Sequence, residues 1–228
     1  MDLTKSFEFF DPSLVNGRVH IVGCGSVGST IAENLARNGI TKFTLWDFDK
    51  VEGKNIVNQM FFSRHIGKLK VEALAEILCD INPECADQIQ IQPKGWEGRL
   101  LSGYIFLCVD SIELRREFVE KHMKSLFVKA VFDFRTMLTG AQHYAADWSN
   151  EASKNYLLST MQFSHDEAAQ EAPVSACGVT LGVAQTVRII CGFGATNFIN
   201  FVKGEGLKKF IQYDFCGNND VILDAFDM

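Results

Sequence analysis

The residues of this chain with the type and spacing for chemistry are three glycines, three carboxylates, a lysine and a cysteine. The glycines read Gly23-x-Gly25-x-x-Gly28 directly after the apolar Val19, Ile21 and Val22, and Asp47 stands nineteen positions beyond the last of them. Strand, glycines, helix and spaced acid, in that order, form the nucleotide-binding βαβ fingerprint. Gly23 permits the tight turn, Gly25 lets a phosphate approach the backbone, and Gly28 lets helix and strand pack closely. The helix start offers free N–H groups and the positive end of its dipole to an anion. Asp47 would accept a ribose hydroxyl; the plainer alternative is a glycine turn that only packs helix on sheet.

Ligands of such sheets lie outside the carboxyl ends of the strands. Asp47–Asp49 mark one such end, and Asp110 marks another after the apolar run Tyr104–Val109. A carboxylate there suits Mg²⁺, which takes one or two carboxylates plus phosphate oxygens and waters. The other reading of Asp110 is the N-cap of the following helix. Lys70 opens a helix in Gly67-Lys68-Leu69-Lys70-Val71, where the dipole disfavours a cation. An ATP phosphate would explain it, and a solvated surface lysine is the alternative. Cys177, in PVSACGVTLGV, begins a long apolar segment; a helix N-terminus would lower its pKa, or it is a small buried residue. Cys24 and Cys108 read as packing residues. His20, His65, His122, His143 and His165 show no metal-ligand spacing.

The elements that must position these groups alternate. Strands are predicted at Arg18–Gly23, Lys42–Asp47, Gln88–Gln92, Tyr104–Val109 and Leu126–Phe132, with helices at Val27–Asn38, Lys68–Ile81 and Ile112–Met123 between them. Lys50–Phe62 is a polar crossing segment without clean periodicity. This alternation predicts an α/β, Rossmann-like fold with a mostly parallel sheet and helices on both faces. The second half reads as strand Ala141–Trp148, helix Asn150–Met161, crossing loop 162–177 and helix Gly178–Phe201. Two strands, Phe210–Phe215 and Val221–Phe226, then form an antiparallel C-terminal edge.

At 228 residues the chain suits one domain, 1–228, with an N-terminal arm at 1–17. A net charge of −6 argues against a nucleic-acid partner. Gln185, Arg188, Asn197 and Asn200 interrupt the longest apolar stretch, so a buried or dimer helix is expected and no membrane span. The first residues lack a signal-peptide pattern, and the seven cysteines contain no Cys-x-x-Cys pair. A reducing cytoplasm and no zinc are therefore expected.

The string DFDKVEGKNIVNQMFFSRHIGKLKVEALAEILCDINPE, with IVGCGSVGS upstream and CVDSIELRREF downstream, closely resembles the ThiF/MoeB/HesA family, the ubiquitin-activating-type adenylyltransferases. The match is specific over about residues 18–118 and looser beyond, where KGEGLKKFIQYDF resembles the family's closing strand. The resemblance implies Mg-ATP as substrate and adenylation of the C-terminal glycine carboxylate of a ubiquitin-like or sulfur-carrier protein ending in Gly-Gly. An acyl-adenylate forms, pyrophosphate leaves, and a homodimer is expected. It assigns Gly23, Gly25 and Gly28 to the phosphates, Asp47 to the ribose, Asn55 and Gln59 to the family's Asn and Gln, Lys70 to the phosphates and Asp110 to Mg²⁺. Arg115 matches an arginine that would contact nucleotide or hold the loop. Cys177 falls where ThiF-like members have a cysteine able to take up an activated carboxyl group or sulfur.

Two departures stand out. The family places arginine before the Gln, but here Asn58 precedes Gln59, and residues 1–17 contain no arginine. Lys54, Arg64 or Arg18 would have to replace those cations. Without replacement the chain reads as a catalytically degenerate module that binds a ubiquitin-like partner or an active homologue. An NAD-dependent oxidoreductase is the third reading, but it has no use for the Asn55–Lys70 segment.

Overall fold

In the computed structural model, described over residues 1–164 and 182–215 and for the backbone at 221–227, the apolar runs build one sheet. Its parallel half contains β1 (Val19–Val22), β2 (Phe43–Trp46), β3 (Gln90–Gln92), β4 (Gly103–Leu107) and β5 (Val128–Thr136). Its antiparallel half adds β6 (Gly140–Asp147), β7 (Lys208–Phe215) and β8 (Val221–Asp227). The strand order is β3-β2-β1-β4-β5-β6-β7-β8, so the direction of winding reverses between β1 and β4. A crevice at that reversal is where such sheets hold ligands. Every residue of β1, β2 and β4 is buried, which explains why these strands read as apolar runs without alternation.

Helices α1 (Ser26–Arg37), α2 (Lys70–Ile81) and α5 (Ala184–Lys203) share one core with the sheet, while α3 (Ile112–His122) and α4 (Glu151–Ser159) cover the other face. The α/β architecture with helices on both faces and an antiparallel C-terminal edge is as the sequence predicts. The long apolar segment is a core helix. It buries Val187, Ile190, Cys191 and Phe198, and a Cβ at Gly194 would collide with the Phe134 ring. Gly204, at φ 76°, ends it in the left-handed conformation. No helix among the described residues is long and apolar enough to cross a membrane.

Most boundaries shift by one or two residues. The larger corrections are the long helix, predicted from Gly178 but starting at Ala184 with Gly182 and Val183 outside it, and β5, predicted as Leu126–Phe132. Leu126 and Phe127 are 93% and 74% exposed and precede the strand, which continues through Asp133 and Arg135 because their charges pair inside the protein. Cys177, and all but the first three residues of the predicted 162–177 loop, lie outside the described residues.

Candidate functional site

At the C-terminal end of β1 the chain turns through Gly23, φ 94°, where a Cβ would press on the Cys108 carbonyl, 2.8 Å away. Gly28 lies against the same turn, and a Cβ there would collide with the Gly23 carbonyl oxygen. Gly25 is different, because a Cβ placed on it meets nothing within 4 Å. Gly25 is also the N-cap of α1, and no side chain caps that helix start. The turn therefore presents an open approach to backbone N–H groups at the positive end of a helix, a ready anion site.

Asp47 braces this turn from the end of β2. Its Oδ2 accepts from the Cys24 amide at 2.7 Å and its Oδ1 from the Asp49 amide at 2.8 Å. Burial raises its pKa, opposed by those backbone donors and by Lys70. Each oxygen keeps a second acceptor position, so the carboxylate can hold the turn and still accept a hydroxyl.

Lys70 reaches the same place because the crossing segment returns on itself. Lys50 bridges to Leu69, and the Lys70 amide donates to the Asp49 carbonyl at 2.9 Å. This short ladder sets the Lys70 ammonium 2.7 Å from Asp49 Oδ2. Inside the loop, Asn55 Oδ1 accepts from the Glu52 amide at 2.8 Å and so shapes a 3-10 turn. Gln59 Oε1 is buried and has no hydrogen-bond partner among the described residues. An orphaned buried acceptor is costly, and a ligand donor would relieve it.

Asp110 follows β4. It does not cap α3, because Ser111 does so, accepting from the Leu114 amide at 3.1 Å. The exposed Asp110 carboxylate is thus free of that duty. No group of three or more His, Cys, Asp or Glu among the described residues could hold a metal alone. One carboxylate completed by phosphate oxygens and water is the arrangement Mg²⁺ takes beside nucleotides, and Asp110 fits it.

Three of these side chains are already engaged by other partners. Arg115, grouped with the nucleotide contacts from its motif, instead holds the loop. Its Nε donates to the Val109 carbonyl at 2.9 Å, and Nη1 bonds the Asp133 carboxylate and, at 2.7 Å, the Phe134 carbonyl. Arg18 cannot replace a missing phosphate cation, since it donates to the Phe43 and Gln88 carbonyls at 2.7 and 2.8 Å, at the opposite ends of the strands. Asn58, standing where the family has arginine, donates to the Gly182 carbonyl at 3.3 Å. Arg64 pairs with Asp80 at 3.6 Å and lies over Phe62. Lys54 pairs with Glu52 at 2.9 Å, which raises its pKa.

The sequence reading missed Asp133 and Arg135. Asp133 is fully buried in β5, with Arg135 bonded to its Oδ2 at 2.8 Å. The signal was present in Val131-Phe132-Asp133-Phe134-Arg135: an acid inside an apolar strand run, with a base on the same face two positions later.

The profile of the ThiF family matches residues 10–227. The tRNA threonylcarbamoyladenosine dehydratase of Haemophilus influenzae is 38% identical over 104 residues, 44% of this chain and 40% of that protein. Ubiquitin-like modifier-activating enzyme 5 of Caenorhabditis briggsae is 38% identical over 117 residues, 42% of this chain and 26% of that protein. The chain thus spans less than half the length of these relatives. MccB of E. coli, crystallised with ATP, superposes with a TM-score of 0.68 at 16% identity over 94% of this chain and 65% of MccB.

Proposed function

The chain belongs to the ThiF family, and on that premise we propose that it is an ATP-dependent adenylyltransferase. Its substrate would be the C-terminal carboxylate of a ubiquitin-like or sulfur-carrier protein ending in Gly-Gly, converted to an acyl-adenylate with release of pyrophosphate. The relatives support this reading by name, one a ubiquitin-like modifier-activating enzyme, and MccB has been crystallised with ATP and with MccA.

One observation carries it. The uncapped, open helix start at Gly25 shares its end of the sheet with the Lys70–Asp49 pair and the uncommitted carboxylate of Asp110. Gly23, Gly25 and Gly28 would lie against the phosphates, Asp47 and Gln59 would meet hydroxyl or amino donors of the nucleoside, and Asn55 would keep the crossing loop in shape. Lys70 would move its ammonium from Asp49 to a phosphate oxygen as negative charge accumulates. Asp110 would hold Mg²⁺, which neutralises phosphate charge when bound. Lys54 is the remaining candidate for a replaced arginine. A homodimer, a cytoplasmic setting and uptake of the activated carboxyl by Cys177 complete the proposal.

A specific observation favours a second reading. Asn58 is bonded to Gly182 where an arginine would serve the phosphates, as in a module that has kept the fold and lost turnover. Calorimetric titration of Mg-ATP into wild type and Asp110→Ala separates the two. Micromolar, Mg²⁺-dependent binding that disappears in Asp110→Ala supports the enzyme, and pyrophosphate exchange with candidate carboxylate proteins then identifies the substrate. Absence of binding in wild type leaves the silent module.

A further inference from the structure

Two arginines and one aspartate form a buried chain of ion pairs behind Asp110. Asp133 is fully buried; its Oδ1 is bonded by Arg115 Nη1 and its Oδ2 by Arg135 Nε at 2.8 Å. Arg115 is itself almost wholly buried and, besides Asp133, grips the carbonyls of Val109 and Phe134. Val109 is the residue immediately before Asp110. At the other end, Arg135 donates to the Thr160 carbonyl at 2.8 Å and to Thr160 Oγ1 at 2.9 Å, and it lies 4.3 Å over the Tyr144 ring.

Burying three charges carries a large desolvation cost, and apolar side chains would fill such a space with equal or better stability. Ion pairs of this kind add direction instead: planar guanidinium forks fix both the carboxylate and the carbonyls they meet. Here the fixed object at one end is the backbone that presents Asp110, which makes no bond of its own among the described residues.

We propose that Asp133 and Arg135 are positioning residues for Asp110, acting through Arg115, so that the triad Arg115–Asp133–Arg135 is a strut between the root of the Asp110 loop and the Thr160 end of α4. This rests on the reading of Asp110 as the carboxylate beside the nucleotide phosphates. Arg115 orients the Val109 carbonyl, Asp133 orients Arg115, and Arg135, braced on Thr160 and Tyr144, holds Asp133 in its rotamer. Groups that orient a metal-bearing carboxylate typically matter 10- to 100-fold in metal affinity although they never touch the ion.

The test compares wild type, Asp110→Ala, Arg135→Met and Asp133→Asn by two readouts. The first is hydrogen exchange of the amides at 109–112 in ligand-free protein. The second is calorimetric binding of ATP with Mg²⁺ and with EDTA. With folding verified by circular dichroism, Arg135→Met should exchange faster at 109–112 and bind Mg-ATP about 10-fold or more weakly, with ATP affinity in EDTA unchanged. Wild-type exchange and wild-type Mg-ATP affinity in folded Arg135→Met would overturn the strut. Should Asp133→Asn fail to fold, Arg135→Met, at the less buried end of the triad, decides alone. Should wild type bind no Mg-ATP, the proposed function fails, and the exchange readout still supports or overturns the strut.

Discussion

The ammonium of Lys70 lies 2.7 Å from Oδ2 of Asp49, a contact between a lysine side chain only 10% exposed and a carboxylate 52% exposed. The lysine that opens α2 against its dipole therefore has a partner, but one that water also reaches. A half-solvated pair contributes on the order of 1 kcal/mol or less and can be exchanged for a phosphate without unfolding anything.

Lys70→Met should accordingly leave thermal stability within about 1 kcal/mol of wild type while lowering pyrophosphate-exchange turnover about 100-fold, the usual loss for one preorganised donor at developing charge. Asp49→Asn should release the lysine and lower turnover far less. Equal losses in the two variants would show that the pair, rather than the lysine, is what the reaction uses.

Gly25→Ala and Gly28→Ala should part company. The added methyl at Gly25 meets nothing within 4 Å, so the protein should lose far less stability than at Gly28 but lose ATP affinity as the methyl enters the phosphate approach. At Gly28 the methyl meets the Gly23 carbonyl, and that overpacking should cost about 3 kcal/mol or more. Differential scanning calorimetry with and without ATP distinguishes them.

Asn58→Arg should strengthen ATP binding about tenfold, the scale of one charge-assisted hydrogen bond. It gives up only the 3.3 Å bond to the exposed Gly182 carbonyl. Unchanged affinity by calorimetry would mean that another cation, Lys54 first among them, already occupies that role.

Stability should fall with acid between pH 6.5 and 4. Burial depresses the pKa of both His20 and His143 from 6.5 to about 4. A depressed histidine is neutral in the folded state while the unfolded chain takes up a proton below pH 6.5, so stability is whole above that value and is lost as pH falls toward 4. The loss reaches on the order of 3 kcal/mol per histidine. The His143 ring accepts from Asn197 at 3.1 Å and donates to the Asp133 carbonyl at 3.0 Å. His143→Gln, which can keep both bonds without titrating, should roughly halve the fall of the urea midpoint between pH 6.5 and 4, leaving the part that His20 contributes.

The parallel half of the sheet was legible because its signals are local. A buried parallel strand must be apolar throughout, a helix must repeat its apolar positions every three or four residues, and Gly23 and Gly28 stand where any side chain would collide. Those constraints act within about thirty residues, so β1, α1, β2 and the spaced Asp47 could be read as one unit. The crossing segment escaped the same reading. Its 3-10 turn at Gly53–Val57 follows capping by Asn55, and its end follows the return of Leu69 to Lys50, neither of which leaves a periodic trace.

What the sequence by itself determined is the fold class, the glycine turn, and the residue types available for binding a triphosphate. What only the tertiary structure decided is which charges are committed. Arg18, Arg115 and Asn58 each look available in sequence and are each engaged by a distant partner: Gln88, Asp133 and Gly182. Asp110 looks like a helix cap and is not one, because Ser111 takes that position. A polar or charged side chain has the same one-letter code whether solvated, paired or free. Its partners lie up to 124 positions away along the chain, and they are set by strand order and helix packing, to which local pattern is blind.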